Sequence, residues 1–281
     1  MGNDNINNVA LAFSGGGAKV IQYANILSML NKNQINVTAV SGISSGAFIA
    51  ILIAAGYTGE EVSCILQKNY AKFNKLKFHP RWKKSYGLFS NDHIRDIVND
   101  ACAVKNIFKM SDFQMPIQLV AYDVFKNRKV YFTNIPIEGE YCILTSTPGD
   151  AAAATAALPI VYNGKIIYDD EGNEILCSDG GARGNIAVKS LRHIVKDETI
   201  IGCSYEIIRK KPKGLMSIGC TLVMGNAWIL TELEKSNANY NFIIRNPNAK
   251  VLDRGGKHLD EYVKNGDKQV EEQIKSFLRV K

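Results

Sequence analysis

Gly42-Ile43-Ser44-Ser45-Gly46 is a G-x-S-x-G pattern, and its flanks are those a serine nucleophile needs. In such an elbow a strand turns sharply into a helix, so the hydroxyl stands clear of the sheet edge. Gly42 and Gly46, two residues either side of Ser44, let the backbone pass closely without a Cβ clash. A helix starting just after the serine aims its positive end at the site and favours a developing oxyanion. Residues 35–40 are β-branched and apolar, a strand signal. Residues 47–55 form a strong apolar helical run, and Gly56 is a C-cap signal. A Gly/Ser-rich loop without chemistry has the same composition, and it is the flanks that favour the elbow.

Two further motifs carry chemical potential. Ser14-Gly15-Gly16-Gly17-Ala18-Lys19 follows the apolar run at residues 9–13. Three glycines there can turn backbone N–H groups into a small concavity that holds an oxyanion or phosphate. The spacing is not that of a Walker A loop, and Val20 spoils a dinucleotide fingerprint. An oxyanion hole fits better than a capping turn, which would not need three glycines. Ser178-Asp179-Gly180-Gly181 places a carboxylate at the end of a short strand. Within about 2.6–3.2 Å of a serine hydroxyl, such a carboxylate is a general base. Read alone, Asp-Gly is most often an ordinary turn.

A conventional Ser-Asp-His hydrolase needs a late histidine on a loop. The four histidines are His79, His93, His193 and His258. His193 falls in the helical stretch 186–195, and His258, the late one, begins a helical stretch. All four read as structural or solvent-facing. No H-E-x-x-H or Cys/His cluster suggests a metal. The six cysteines are widely spaced with no CxxC pair, and they read as reduced thiols.

The elements around the motifs set a rhythm. Strand 9–13, helix 18–30, strand 35–40 and helix 47–55 alternate as in a parallel α/β sheet. Residues 117–122 and 129–132 read as strands joined by a Lys126-Asn127-Arg128 turn. A helix is expected over 91–103, with Ser90 or Asn91 as N-cap, and another over 150–157 before Pro159. Residues 165–168 and 174–177 form a hairpin pattern leading directly to Asp179. Further strands are expected at 199–203 and 240–244. Residues 257–281 read as a basic amphipathic helix interrupted at Asn265-Gly266. Residues 68–90 break the rhythm, with basic and aromatic side chains interleaved. They read either as a connecting loop packed on the body or as a segment that docks on anionic membrane.

The 281 residues, 46% hydrophobic and 22% charged, suit one globular domain spanning the chain. No run reaches the roughly 18 apolar residues of a membrane span. Residues 1–8 are polar, so no secretory leader is expected, and the expected location is the cytoplasm with peripheral membrane contact. A net charge of +7 favours anionic partners. No nucleic-acid fold signature appears, and no nucleic-acid partner is expected.

Taken in order, the glycine loop, the G-x-S-x-G elbow and the later Asp-Gly-Gly resemble the patatin-like phospholipase family. Residues 47–56 followed by Thr58-Gly59-Glu60-Glu61 resemble its helix after the elbow. Ala153-Ala154-Thr155-Ala156-Ala157-Leu158-Pro159 resembles its A-S-x-A-x-P segment, and Tyr122-Asp123 followed by 129–132 resembles its mid-domain strand pair. The resemblance covers residues 8–205. It implies a three-layer α/β/α fold with a mostly parallel central sheet. It implies a lipid acyl hydrolase of phospholipase A or lysophospholipase type, acting on phospholipid or another acyl ester without calcium or any other cofactor. Carried over, Ser44 is the nucleophile and Asp179 the base, with Gly180 and Gly181 supporting it. The N–H groups of Gly15, Gly16 and Gly17 form the oxyanion hole, and Ser45 helps orient the site. The chain departs from the family pattern at Val20, where glycine is usual, and at Asn185-Ile186-Ala187, which lacks the proline of Asn-x-Pro.

Two other readings compete. One is a conventional α/β-hydrolase esterase using His258, which leaves the glycine loop and Asp179 unexplained. The other is a non-catalytic binder of anionic ligands, which leaves the elbow unexplained.

Overall fold

The computed structural model describes residues 8–78, 87–206, 214–223, 226–251 and 253–280. β1 (Asn8–Phe13) and β2 (Asn36–Ile43) pair in parallel at the centre of a sheet. On β1, Val9, Leu11 and Phe13 enter one core while Ala10 and Ala12 enter another. That alternation is the mark of a strand buried on both faces. The order across the sheet is β12 (Tyr240–Ile244), β11 (Thr199–Tyr205), β1, β2, β5 (Ile117–Asp123), β10 (Glu174–Asp179) and β9 (Lys165–Tyr168). β6 (Arg128–Thr133) pairs with β5, and β7 (Cys142–Ile143) with β6. Among the described residues five of these pairings are parallel and three antiparallel.

Helices cover both faces, so the architecture is three-layer α/β/α. On one side lie α1 (Ile26–Lys32), α2 (Gly46–Ala54), α3 (Gly59–Phe73), α4 (Asp92–Val104), α5 (Pro148–Thr155) and α9 (Leu259–Val280). On the other, α6 (Val188–Val195) lays Val188 and Leu191 against Ala10, Ala12 and Ala39. α2 has no charged residue and is buried at every position, as a helix hydrophobic all round must be. α3 opens with a capping box. The Thr58 hydroxyl accepts the Glu61 N–H at 3.3 Å, and the Glu61 carboxylate accepts the Thr58 N–H at 2.8 Å.

β5 positions the site. β6 covers one edge of β5 from Gln118 to Asp123. β2 and β10 therefore share the other edge. β2 runs parallel up to the pair Ile43–Val120, and β10 runs antiparallel down to the pair Asp179–Ala121. The two strands end head to head, one β5 residue apart, and each delivers its motif to the same point.

Three expectations need correction. Residues 18–30 are not one helix but a 3-10 segment, Gly17–Tyr23, followed by α1. The Tyr23 hydroxyl, 2.8 Å from both Ser204 O and Phe242 O, ties the first segment to strand ends far along the chain. α9 runs unbroken through Asn265-Gly266. Gly266 is where the helix crosses closely, since a Cβ there would lie 2.0 Å from Gln22 O. Residues 68–73 are the last turns of α3, with Tyr70 buried and the half-buried Phe73 ring 4.4 Å from Phe48. Beyond them β3 (Lys77–Phe78), β4 (Gly87–Ser90) and β8 (Ile160–Tyr162) make a small second sheet. Arg81, Trp82, Lys83, Lys84 and Tyr86, the centre of the expected docking segment, lie outside the described residues. Among the described residues no helix is long and apolar enough to cross a membrane.

Candidate active site

Ser44 sits between β2 and α2 with φ +52°, a left-handed conformation that a non-glycine residue adopts only when its surroundings hold it there. The two flanking glycines show why. A Cβ on Gly42 would lie 2.6 Å from Ala47 Cα, and one on Gly46 2.6 Å from Phe13 O. The turn closes through Ala47 N–H donating to Ser44 O at 3.1 Å.

Asp179 faces this serine. Its carboxylate shares a cavity with the Ser44 side chain, and its Oδ1 accepts the Gly181 N–H at 2.8 Å. Its own N–H donates to Ala157 O at 3.0 Å, which fixes the end of β10. Gly180 is required next to it, because a Cβ would lie 2.1 Å from Val120 O. Burial pushes the Asp179 carboxyl up to about 6, against the lowering effect of the neighbouring Ser44 and the Gly181 N–H. A carboxylate poised near neutrality is what a general base requires.

The glycine loop closes the other side. A Cβ on Gly15 would lie 2.9 Å from Ser44 Cβ, so loop and elbow are in contact. The three amides are not equivalent. Gly15 N–H donates to Asn185 O at 3.1 Å, and Gly16 N–H donates to the Ser45 hydroxyl at 3.0 Å. Gly17, at φ +59°, has no recorded acceptor for its N–H among the described residues. Val251 O stands 2.1 Å from where a Gly17 Cβ would be, so a strap from the C-terminal part packs directly on the loop.

Ser44, Asp179 and the three glycines line one cavity of about 250 Å³. Its remaining wall is largely apolar, with Phe48, Leu66, Phe73, Ile94, Leu158 and Val161. Among the described residues no histidine lines it. His79 lies outside the described residues, His93 is buried in α4, and His193 is exposed on α6. The His258 ring pairs through Nδ1 with Asp253 Oδ1 at 2.9 Å. The late histidine is thus held by a different carboxylate, and Asp179 is the carboxylate that shares the cavity with Ser44. Among the described residues no group of three or more His, Cys, Asp and Glu side chains is placed to hold a metal.

The patatin family model, described as patatin-like phospholipase, matches residues 11–192. The chain belongs to this family. It is 31% identical over 123 residues to YqhO of Bacillus subtilis (strain 168), itself uncharacterized, covering 40% of this chain and 42% of that one. It is 29% identical over 107 residues to protein R571 of Acanthamoeba polyphaga mimivirus, covering 34% and 36%. The match spans less than half the length of either relative. Among solved structures it is similar to VipD from Legionella pneumophila, with a TM-score of 0.53 and 13% identity over 96% of this chain and 67% of that one. It is also similar to ExoU in its complex with SpcU from Pseudomonas aeruginosa, with a TM-score of 0.51 and 12% identity over 98% and 52%. These two likenesses concern the fold.

In this patatin-like domain two side chains brace the motifs, and the sequence assigned neither a role. Thr155, fully buried at the end of α5, accepts the Ser44 N–H at 2.9 Å and donates to Val120 O. It ties the elbow to β5 at the point where β2 and β10 meet. Asn185 holds Gly15 twice: its O accepts the Gly15 N–H, and its Nδ2 donates to Gly15 O at 2.8 Å. The signals were present, Thr155 in the Ala-rich segment and Asn185 six residues after Asp179, but their contacts depend on topology.

Replacing Thr155 with valine keeps the shape but removes the acceptor of a buried N–H, a loss of about 1–3 kcal/mol. Thr155→Val is expected to lower kcat about tenfold to a hundredfold with KM little changed, and Thr155→Ser to restore most of it. Steady-state kinetics of the two variants check this. Equal losses in both would show that Thr155 acts only through packing.

Proposed function

We propose that this chain is a lipid acyl hydrolase that cleaves phospholipid or another acyl-ester lipid through a Ser44–Asp179 dyad. The observation that carries the reading is the convergence of Ser44 and the buried Asp179 carboxylate, delivered by strand ends that meet on β5, in one apolar cavity. Family membership supports lipid ester hydrolysis, and the apolar wall suits an acyl chain.

In the proposed reaction Ser44 Oγ attacks the ester carbonyl carbon as its proton passes to Asp179. The carbonyl oxygen becomes an oxyanion beside the Gly17 N–H, and the Gly16 N–H joins if it leaves the Ser45 hydroxyl. The bond to the alcohol oxygen breaks, and Asp179 returns its proton to that oxygen, releasing alcohol or lysolipid. Water then gives a proton to Asp179 and attacks the acyl-enzyme. The acid departs as Ser44 regains its proton. The positive end of α2 faces the oxyanion throughout.

Incubation with phosphatidylcholine vesicles in excess calcium chelator tests the reading, with Ser44→Ala as control. Release of fatty acid and lysophospholipid by the wild type alone is the expected result. No ester cleavage by folded protein, over a panel of phospholipids, lysophospholipids and short-chain esters, would overturn it.

A further inference from the structure

α7 (Leu215–Val223) has the sequence LMSIGCTLV, without a single charged residue. Unlike α2, whose uncharged surface is wholly buried, this helix turns apolar side chains outward. Leu215 is 88% exposed, Leu222 77% and Ile218 43%. Their spacing of three and seven places them on one face. On α8 (Ala227–Lys235), Ile229 and Leu233 are exposed too. Among the described residues nothing covers the face that Leu215 and Leu222 present.

The position of this face gives it meaning. α7 packs on β8, where Gly219 approaches Ile160, and the next two residues of β8, Val161 and Tyr162, line the cavity. The uncovered apolar surface therefore adjoins the cavity wall. Along the sequence the charge here is one-sided. From Ile207 to Thr231 the sequence contains no aspartate or glutamate, while Arg209, Lys210, Lys211 and Lys213 directly precede α7. A helix of nine residues is about 14 Å long, too short to cross a bilayer of about 30 Å but long enough to lie in its interface.

We infer that α7 is an interfacial docking helix that seats the mouth of the cavity on an anionic phospholipid bilayer, with Leu215, Ile218 and Leu222 entering the acyl boundary. The inference rests on the hydrolase reading for its purpose. Basic residues before the helix attract the anionic surface, and the apolar face supplies the insertion. A lipid then passes from bilayer to cavity along apolar surface. A second copy of this chain is the alternative occupant, but it would meet the same basic stretch on both partners.

The test uses the full chain and its double variant Leu215→Ser/Leu222→Ser, two exposed positions outside the cavity. Co-sedimentation is measured with vesicles of phosphatidylcholine alone and of phosphatidylcholine with phosphatidylglycerol. The wild type is expected to prefer the anionic vesicles, and the double variant to lose about tenfold or more of that binding. Hydrolysis of vesicle lipid falls with it, while hydrolysis of a soluble short-chain ester is unchanged. Vesicle binding unaltered by the double substitution overturns the inference, as does a change from dimer to monomer with vesicle binding retained. Vesicle binding that depends on α7 in a protein that cuts no ester keeps the docking surface and refutes the hydrolase reading. Soluble-ester hydrolysis with α7-independent vesicle binding does the reverse.

Discussion

Replacing Ser44 with alanine is expected to lower ester turnover by about 10⁴-fold or more while leaving the fold intact. The size follows from what is lost. Without Oγ there is no acyl-enzyme, and any residual rate comes from water in a site still able to polarise the carbonyl. The fold survives because the strain at φ +52° is held by the backbone and by Thr155, not by the serine hydroxyl. Alanine tolerates that conformation no worse than serine by more than a few tenths of a kcal/mol. Turnover of a fluorogenic ester, measured beside a thermal melt, checks both halves.

Asp179→Asn is expected to lower kcat about 10³–10⁴-fold and to change two pH dependences. The amide still accepts the Gly181 N–H but cannot take the proton of Ser44. In the wild type kcat/KM rises with pH through a single ionisation near 6, as the carboxyl loses its proton, and is level above it. That limb is absent from the residual activity of the variant. Stability moves the other way. The folded carboxyl keeps its proton to about 6, while the unfolded one releases it near 3.8. The stabilisation present below the unfolded value is lost as pH rises through the folded value. A shift of this size corresponds to about 2–3 kcal/mol, so the neutral asparagine is expected to stabilise the fold by that order at about pH 8 and by little at about pH 4. Urea denaturation at the two pH values measures it. A variant no more stable than wild type at about pH 8 would show that Asp179 is not strained by its burial.

How much of this was legible in sequence depended on whether the signal was local. The elbow was readable because β-branched residues, two glycines and an uncharged helix stand next to one another in the chain. The small-residue pattern at Gly42 and Gly46 is explained by contacts within five residues or with the adjacent strand. Asp179 was harder, since Asp-Gly is common, and its meeting with Ser44 needs β5 to align β2 and β10 on one edge. Order of motifs along the chain, through the family resemblance, made up for that. The glycine loop was found but its inequality was not, because Asn185 and Ser45 take two of the three amides from 170 and 29 residues away. Gly266 misled, because a glycine required by the Gln22 backbone against it looks the same as a glycine that breaks a helix. The second sheet escaped because β3 has two residues and β8 three, too few to show a period. α7 escaped because a short uncharged run between basic residues and Asn226 resembles a buried segment, and only its exposure distinguishes it.

The central claim is that Ser44 is an activated nucleophile. Labelling of the folded protein with a fluorophosphonate probe, followed by mass mapping of the adduct, tests it most directly. The account predicts one adduct, on Ser44, that is absent from Ser44→Ala and formed far more slowly by Asp179→Asn. Labelling at another serine, or labelling of Ser44 at the same rate in Asp179→Asn, would contradict it.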